Sequence, residues 1–148
     1  MDLTPYLIFD GQCEAALKFY EKALGGKIEI MKWGGSPAEE MAVNKDWVMH
    51  ATFEAKGFTF LASDRGKDST PPSQDGMIWL TLNFETESEE EKMFNALSEG
   101  GNVAMPLSDT FWGARFGMVK DKFGIGWMFN CEKQQQKQYS QELEANAS

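Results

Sequence analysis

PYLIFDGQCEAALKFYEKALGG, residues 5 to 26, holds a strand, a helix and a helix stop in one run. It opens on a short apolar run of strand length, and beyond Gly11 the period changes. Ala16, Phe19, Tyr20, Ala23 and Leu24 recur at i, i+3, i+4, i+7 and i+8, the spacing of one apolar stripe on a helix of about three turns. Gly25-Gly26 stops the helix, because glycine takes the left-handed conformation that closes a helix end. Ile28 and Ile30 then begin a second strand. The same order returns 75 residues on: Leu7 maps to Leu82, Phe9 to Phe84, Phe19 to Phe94, Gly25-Gly26 to Gly100-Gly101, and Ile28 and Ile30 to Val103 and Met105. In this second copy Ser88 and Glu91 have capping-box spacing, and Met93, Phe94 and Leu97 supply the apolar face. The acidic run Glu87 to Glu91 reads as a solvated first turn favoured by the helix dipole.

A hairpin follows each second strand, and there the match resumes at an offset of 67. Val48 to Glu54, Lys56-Gly57 and Phe58 to Ala62 parallel Arg115 to Asp121, Phe123-Gly124 and Ile125 to Phe129, which sets Leu61 on Met128. The lost residues lie in the connection: residues 33 to 46 (WGGSPAEEMAVNKD) form a longer loop than Pro106 to Phe111, and it reads as a lid or as variable surface. Residues 64 to 75 (DRGKDSTPPSQD) read as a link between the copies. A half of about 55 to 60 residues has one sheet face uncovered, so the two are expected to cooperate. The predicted fold is α+β: one domain over residues 1 to 132, with two tandem βαβββ modules, about 3 to 64 and 76 to 131, forming a curved mixed sheet. Residues 133 to 148 form a polar tail.

With 42% apolar and 13% aromatic residues, the chain can fill a core. A net charge of −9 argues against nucleic acid, since a phosphate backbone calls for a basic face. The apolar runs are too short to span a bilayer and the first residues do not resemble a signal peptide, so no membrane partner and a cytoplasmic location are expected. Cys13 and Cys131 are too few and too far apart for a disulfide framework or a zinc knuckle.

The strings at residues 5 to 26, MHATF at 49 to 53 and WGARFGMVKDKFGIGWMFNCE at 112 to 132 resemble the vicinal oxygen chelate superfamily of glyoxalases, dioxygenases and bleomycin resistance proteins. Within it they resemble the PhnB-like group, whose label is 3-demethylubiquinone-9 3-methyltransferase. The resemblance covers residues 3 to 132 and implies a homodimer with a small-molecule pocket between sheets. Methyl transfer of the common kind is not expected. Its cofactor site needs a strand, a Gly-rich turn and an acidic residue further on, whereas Gly25-Gly26 terminates a helix.

Metal-dependent members of the superfamily carry His, Gln or Glu on the first and last strands of each module. Aligned through the resemblance and the two offsets, those positions fall on Pro5, Leu61, Leu80 and Met128, none of which offers a donor that a hard divalent ion accepts. The chain has one histidine. No metal and no other cofactor is therefore expected.

His50 stands on a strand of alternating character, as a general base or ligand-orienting donor, or as a histidine hydrogen-bonded in or beside the core. Arg115 is a cation among small and apolar residues, able to fork onto a substrate anion or to pair with a carboxylate such as Asp109. These two are the candidate catalytic residues. Trp79, Trp112, Trp127, Met128, Phe60 and Trp33 are the candidate lining of an aromatic pocket, although plain core packing also accounts for tryptophans. Cys13 begins the first helix, where a dipole can lower a thiol pKa and where burial makes it inert. The leading reading is metal-free binding of a small molecule, or a reaction on one. The alternatives are a metalloenzyme with unusual ligands, such as His50 with Glu54 or Asp109, and a drug-sequestering protein suited to cationic ligands.

Overall fold

The structure, a computed structural model, describes residues 1–73, 77–133 and 141–146. Its contacts divide the chain into two compact units, Met1–Ser73 and Gln74–Ser148. In the first, β1 (Tyr6–Phe9) leads through α1 (Cys13–Leu24) to β2 (Lys27–Lys32), β3 (Val48–Ala55) and β4 (Phe58–Asp64). In the second, β5 (Leu80–Phe84) leads through α2 (Glu87–Ser98) to β6 (Asn102–Asp109), β7 (Ala114–Lys120) and β8 (Gly126–Glu132). The strands form one four-stranded mixed sheet per unit, ordered β1-β4-β3-β2 and β5-β8-β7-β6. β1 runs parallel to β4 and β5 to β8, and the other pairs are antiparallel. The duplicated βαβββ order is thus present in full.

Each helix covers one face of its own sheet, and the strand alternation follows from that. Leu7, Phe9, Ala51, Phe53, Phe60 and Ala62 point under α1 and are buried. Phe53 and Phe60 stack at 4.7 Å, and Tyr20 meets Phe60 edge-on at 6.0 Å. α1 buries Cys13, Ala16, Leu17, Tyr20 and Leu24, so its stripe is rotated toward Cys13 and Leu17 and leaves Phe19 and Ala23 half-buried. Gly25 ends it at φ 73, its N–H donating to the Glu21 carbonyl at 2.9 Å. In the second unit, Trp127 and Phe129 lie under α2, where Phe94 meets Phe129 edge-on at 5.0 Å.

The two copies are related by shifting offsets, which corrects the simple register. Three residues, Asp10 to Gln12, separate β1 from α1, but only Glu85-Thr86 separates β5 from α2. The helices therefore match at 74, with Tyr20 on Phe94 and Ala16 on Glu90, before the second strands return to 75. At the hairpins, Ala55 pairs with Phe58 across Lys56-Gly57, whereas Asp121 bonds Ile125 across Lys122, Phe123 and Gly124. That added residue makes β3 match β7 at 66: Thr52 opposes Leu61 as Met118 opposes Met128. Helix α2 is capped by Thr86, whose hydroxyl accepts from the Glu89 N–H at 3.2 Å, and not by Ser88. The acidic run is not wholly solvated either, for Glu90 is 0% exposed.

Loop 33–46 folds down onto its own unit. Trp33 and Gly34 donate to Trp47 and Lys45, Lys67 donates to the Met41 carbonyl, and Ala42 bridges Gly66. No helix among the described residues is long and apolar enough to cross a membrane.

Candidate functional site

The face of each sheet turned away from its helix is where functional side chains can stand. In the first unit, cross-strand partners place Tyr6, Leu61, Thr52 and Glu29 in one row; on the same face Ile8 opposes Ser63 and Met31 opposes His50. Ile8 is 50% exposed and Met31 52%, large apolar residues that this unit leaves uncovered. Between them the Tyr6 hydroxyl approaches His50 Nδ1 at 3.5 Å, with the two rings 6.1 Å apart. At that distance the contact is long for O–H···N, so an incoming group can take over either partner.

In the second unit the uncovered rows are Thr81, Met128 and Met118, then Asn83, Asn130, Phe116 and Ser108. Trp79 lies over Gly126 on this side, so close that a Cβ there would stand 2.6 Å from its indole. Trp112 is 48% exposed and meets Phe116 edge-on at 5.8 Å. Asn130 Nδ2 donates to Asn83 Oδ1 at 3.2 Å. These amides help line a cavity of about 340 Å³ with Glu85, Glu132, Gln141 and Glu144.

Among the residues proposed from sequence, His50, Trp79, Trp112 and Met128 therefore stand on uncovered faces or their rims. Phe60 and Trp127 do not. They point under the helices at 2% and 1% exposure, because strand alternation sends their neighbours Leu61 and Met128 to the other side. Trp127 also has its indole N–H committed to Asp121 at 2.8 Å, and the same carboxylate accepts from the Phe123 and Ile125 N–H groups to hold the β7–β8 turn. Trp33 packs against Gly66, where a Cβ would come within 3.1 Å of its ring.

Arg115 is likewise on the helix side. It opposes Asp109 across β6 and β7, yet its guanidinium pairs with Glu91 at 3.6 Å and Glu87 at 3.9 Å on α2. Lys133 takes Asp109 at 2.7 Å and Glu87 at 2.5 Å, and these hydrogen bonds hold its ammonium pKa up. Arg115 thus anchors the helix, and it does not face the open side of its sheet.

Asp64, which alternation alone does not single out, is the main polar organiser of the first unit. Its carboxylate accepts from the Gly11 N–H at 2.8 Å, the Cys13 N–H at 3.0 Å and the Val48 N–H at 2.9 Å. It fills the N-terminus of α1 from a strand about fifty positions away, because Gln12 supplies no side-chain cap. Cys13 beneath it is 0% exposed; burial first, and then the Asp64 and Glu14 charges, push its thiol pKa far up, the reverse of a dipole-activated cysteine.

Neither a divalent metal nor a methyl-donor cofactor fits these residues. Leu61 opposes Tyr6 and Met128 opposes Thr81, so the first-strand positions are one residue beyond Pro5 and Leu80. Pro5 contributes only its carbonyl, to the Leu61 N–H at 2.9 Å, and Leu80 opposes buried Trp127. Tyr6, Leu61, Thr81 and Met128 bring neither imidazole nor carboxylate to a divalent ion. His50 and Glu54 share a face but stand four residues apart on one strand, about 13 Å, too far to chelate together. Among the described residues, no three His, Cys, Asp or Glu side chains are grouped to hold a metal. The strand–turn–helix cofactor site of common methyltransferases fits no better: β1 and β2 are separated by two strands, and the Asp64 carboxylate already accepts from the N–H groups at the start of α1.

The arrangement has the fold of the glyoxalase, bleomycin resistance and dioxygenase class. It superposes on such a domain from Frankia sp. EAN1pec with a TM-score of 0.63 over 90% of this chain and 93% of that one, at 10% identity. The family model described as 3-demethylubiquinone-9 3-methyltransferase matches residues 1–130, and the chain belongs to that PhnB-like family. It is 43% identical to protein PA1353 from Pseudomonas aeruginosa, with a TM-score of 0.81 over 90% of this chain and 98% of that one. It is also 26% identical to a protein from Bacillus cereus described as a putative 3-demethylubiquinone-9 3-methyltransferase, PhnB protein, with a TM-score of 0.75 over 88% and 99%.

Proposed function

We propose that this protein binds a small, partly apolar organic molecule on the uncovered face of its first sheet, without a metal ion, with His50 and Tyr6 as the polar anchors. The observation that carries this reading is the Tyr6–His50 pair at 3.5 Å, set among Ile8, Leu61 and Met31. An imidazole and a phenol supply a donor and an acceptor that exchange roles with the tautomer, which suits a hydroxyl or carbonyl on an aromatic or short aliphatic frame. The same pair can move a proton to or from such a group. The test is a thermal-shift screen of phenols and aromatic acids, with each hit repeated on His50→Ala and Tyr6→Phe. A ligand that raises the wild-type Tm should lose that effect in both variants and keep it in EDTA, since selective binding to the folded state stabilises by mass action. Hits whose shift survives both substitutions, or needs added divalent metal, would overturn the reading.

A second reading rests on the cavity with Glu85, Glu132 and Glu144 in its lining, whose carboxylates suit an amine-bearing ligand. It is favoured if polyamine probes, and not phenols, produce the shift.

A further inference from the structure

The second unit buries a carboxylic acid where the first buries alanine. Glu90 lies on the inner stripe of α2, one turn before Phe94 and two before Leu97, and aligns with Ala16 of α1. It is 0% exposed, and among the described residues neither carboxyl oxygen has a hydrogen-bond partner. A charged carboxylate cannot stay there unpaired without large cost.

The charged and titratable groups around it come from each element that α2 packs on. The helix itself contributes Glu87 and Glu91, and β7 contributes Arg115. Cys131 is buried on the inner side of β8, Lys133 follows that strand, and Asp109 at the end of β6 is held by Lys133. β5 (Leu80–Phe84) has no titratable side chain. Arg115 is 22% exposed at its side chain, against 36% for Lys133, and its pairs with Glu87 and Glu91 are long, at 3.9 and 3.6 Å. It pairs with two surface carboxylates, and its charge also acts on Glu90, whose ionised form it favours.

We propose that Glu90 and Arg115 form a proton-operated switch at the foot of helix α2. With Glu90 protonated, the guanidinium stays on Glu87 and Glu91 and the helix lies on its sheet. With Glu90 ionised, the guanidinium is drawn inward to it, the two surface carboxylates are released, and the first turns of the helix shift from their packing. Burial pushes the Glu90 carboxyl up to about 7; Arg115 and Lys133 oppose this and Glu87 adds to it, so the exchange falls near neutral pH. The sign follows from linkage. A carboxyl with a raised folded-state pKa leaves the fold most stable below its unfolded value, and that stability is lost as pH rises through the folded value.

The test uses the full chain. Carboxyl NMR of the wild type should show Glu90 titrating near neutral pH, and the Arg115 Nε–H resonance should move with the same midpoint. Denaturant unfolding at pH 5 to 8 should show the wild-type unfolding constant rising on the order of a hundredfold relative to Glu90→Gln. Replacing Glu87 and Glu91 by Gln frees the guanidinium and should lower the Glu90 midpoint by more than the same pair of substitutions does in an Arg115→Gln background, where only the loss of the neighbouring Glu87 charge acts. A Glu90 midpoint near that of an exposed carboxyl, or an Arg115 resonance that does not follow Glu90, would overturn the switch. Both are read on the wild type, so they hold even if Glu90→Gln fails to fold.

Discussion

Removing the Asp64 carboxylate should cost the first unit more than any other single polar change. Asp64→Ala deletes three hydrogen bonds, at 2.8, 3.0 and 2.9 Å, and leaves the Gly11, Cys13 and Val48 N–H groups without that acceptor, the last two in buried contacts. Each bond to a charged acceptor is worth about 1.5 to 3 kcal/mol. Because all three share one carboxylate they do not add fully, and a loss of about 4 kcal/mol is expected. Asp64→Asn separates the contributions. Its amide oxygen can still accept from Gly11 and Cys13, but its NH2 would face the Val48 N–H donor to donor, for a loss of about 2 kcal/mol. The assay is urea unfolding followed by tryptophan fluorescence, with Trp47 against Gly11 as a nearby reporter. A loss below about 1 kcal/mol for Asp64→Ala, or an Asn variant as stable as wild type, would refute the idea that this residue organises the helix start.

The Cys13 thiol should stay silent to a disulfide reagent in the folded protein from pH 7 to 9, because burial pushes its pKa upward, and should react only on unfolding; a Cys131→Ser background isolates it. Reaction in the native state would show the helix start to be open. Gly126→Ala should displace Trp79, since the new methyl would sit 2.6 Å from the indole while the backbone needs no unusual φ. A changed Trp emission with a loss of about 1 to 3 kcal/mol is expected, and an unchanged spectrum would refute the packing.

Much of the architecture could be read from local pattern. The apolar stripe of α1 and the glycine pairs closing both helices are set within a few residues, so the duplication of strand, helix and three strands was visible without tertiary information. His50 was legible too, as the single imidazole on an alternating strand. Its partner Tyr6 was not, because only the β1–β4–β3 order brings them together. Arg115 stands out in the sequence as a cation among small and apolar residues, but its partners come from α2 and not from the opposed Asp109.

Element order and its repetition follow from local pattern, since period and helix stops are short-range properties. Which way each side chain faces, and what it meets, follows from strand pairing and packing. A strand alternates every residue, so one added residue in the β7–β8 turn, or one fewer before α2, moves a side chain from one face to the other. Phe60 and Trp127 lie under the helices because they alternate with Leu61 and Met128, and the pairing of β1 with β4 and of β5 with β8 sets Tyr6 and Thr81, not Pro5 and Leu80, beside those two residues. The burial of Glu90 and the reach of Asp64 to α1 depend on packing between segments distant in the chain, which no local pattern encodes.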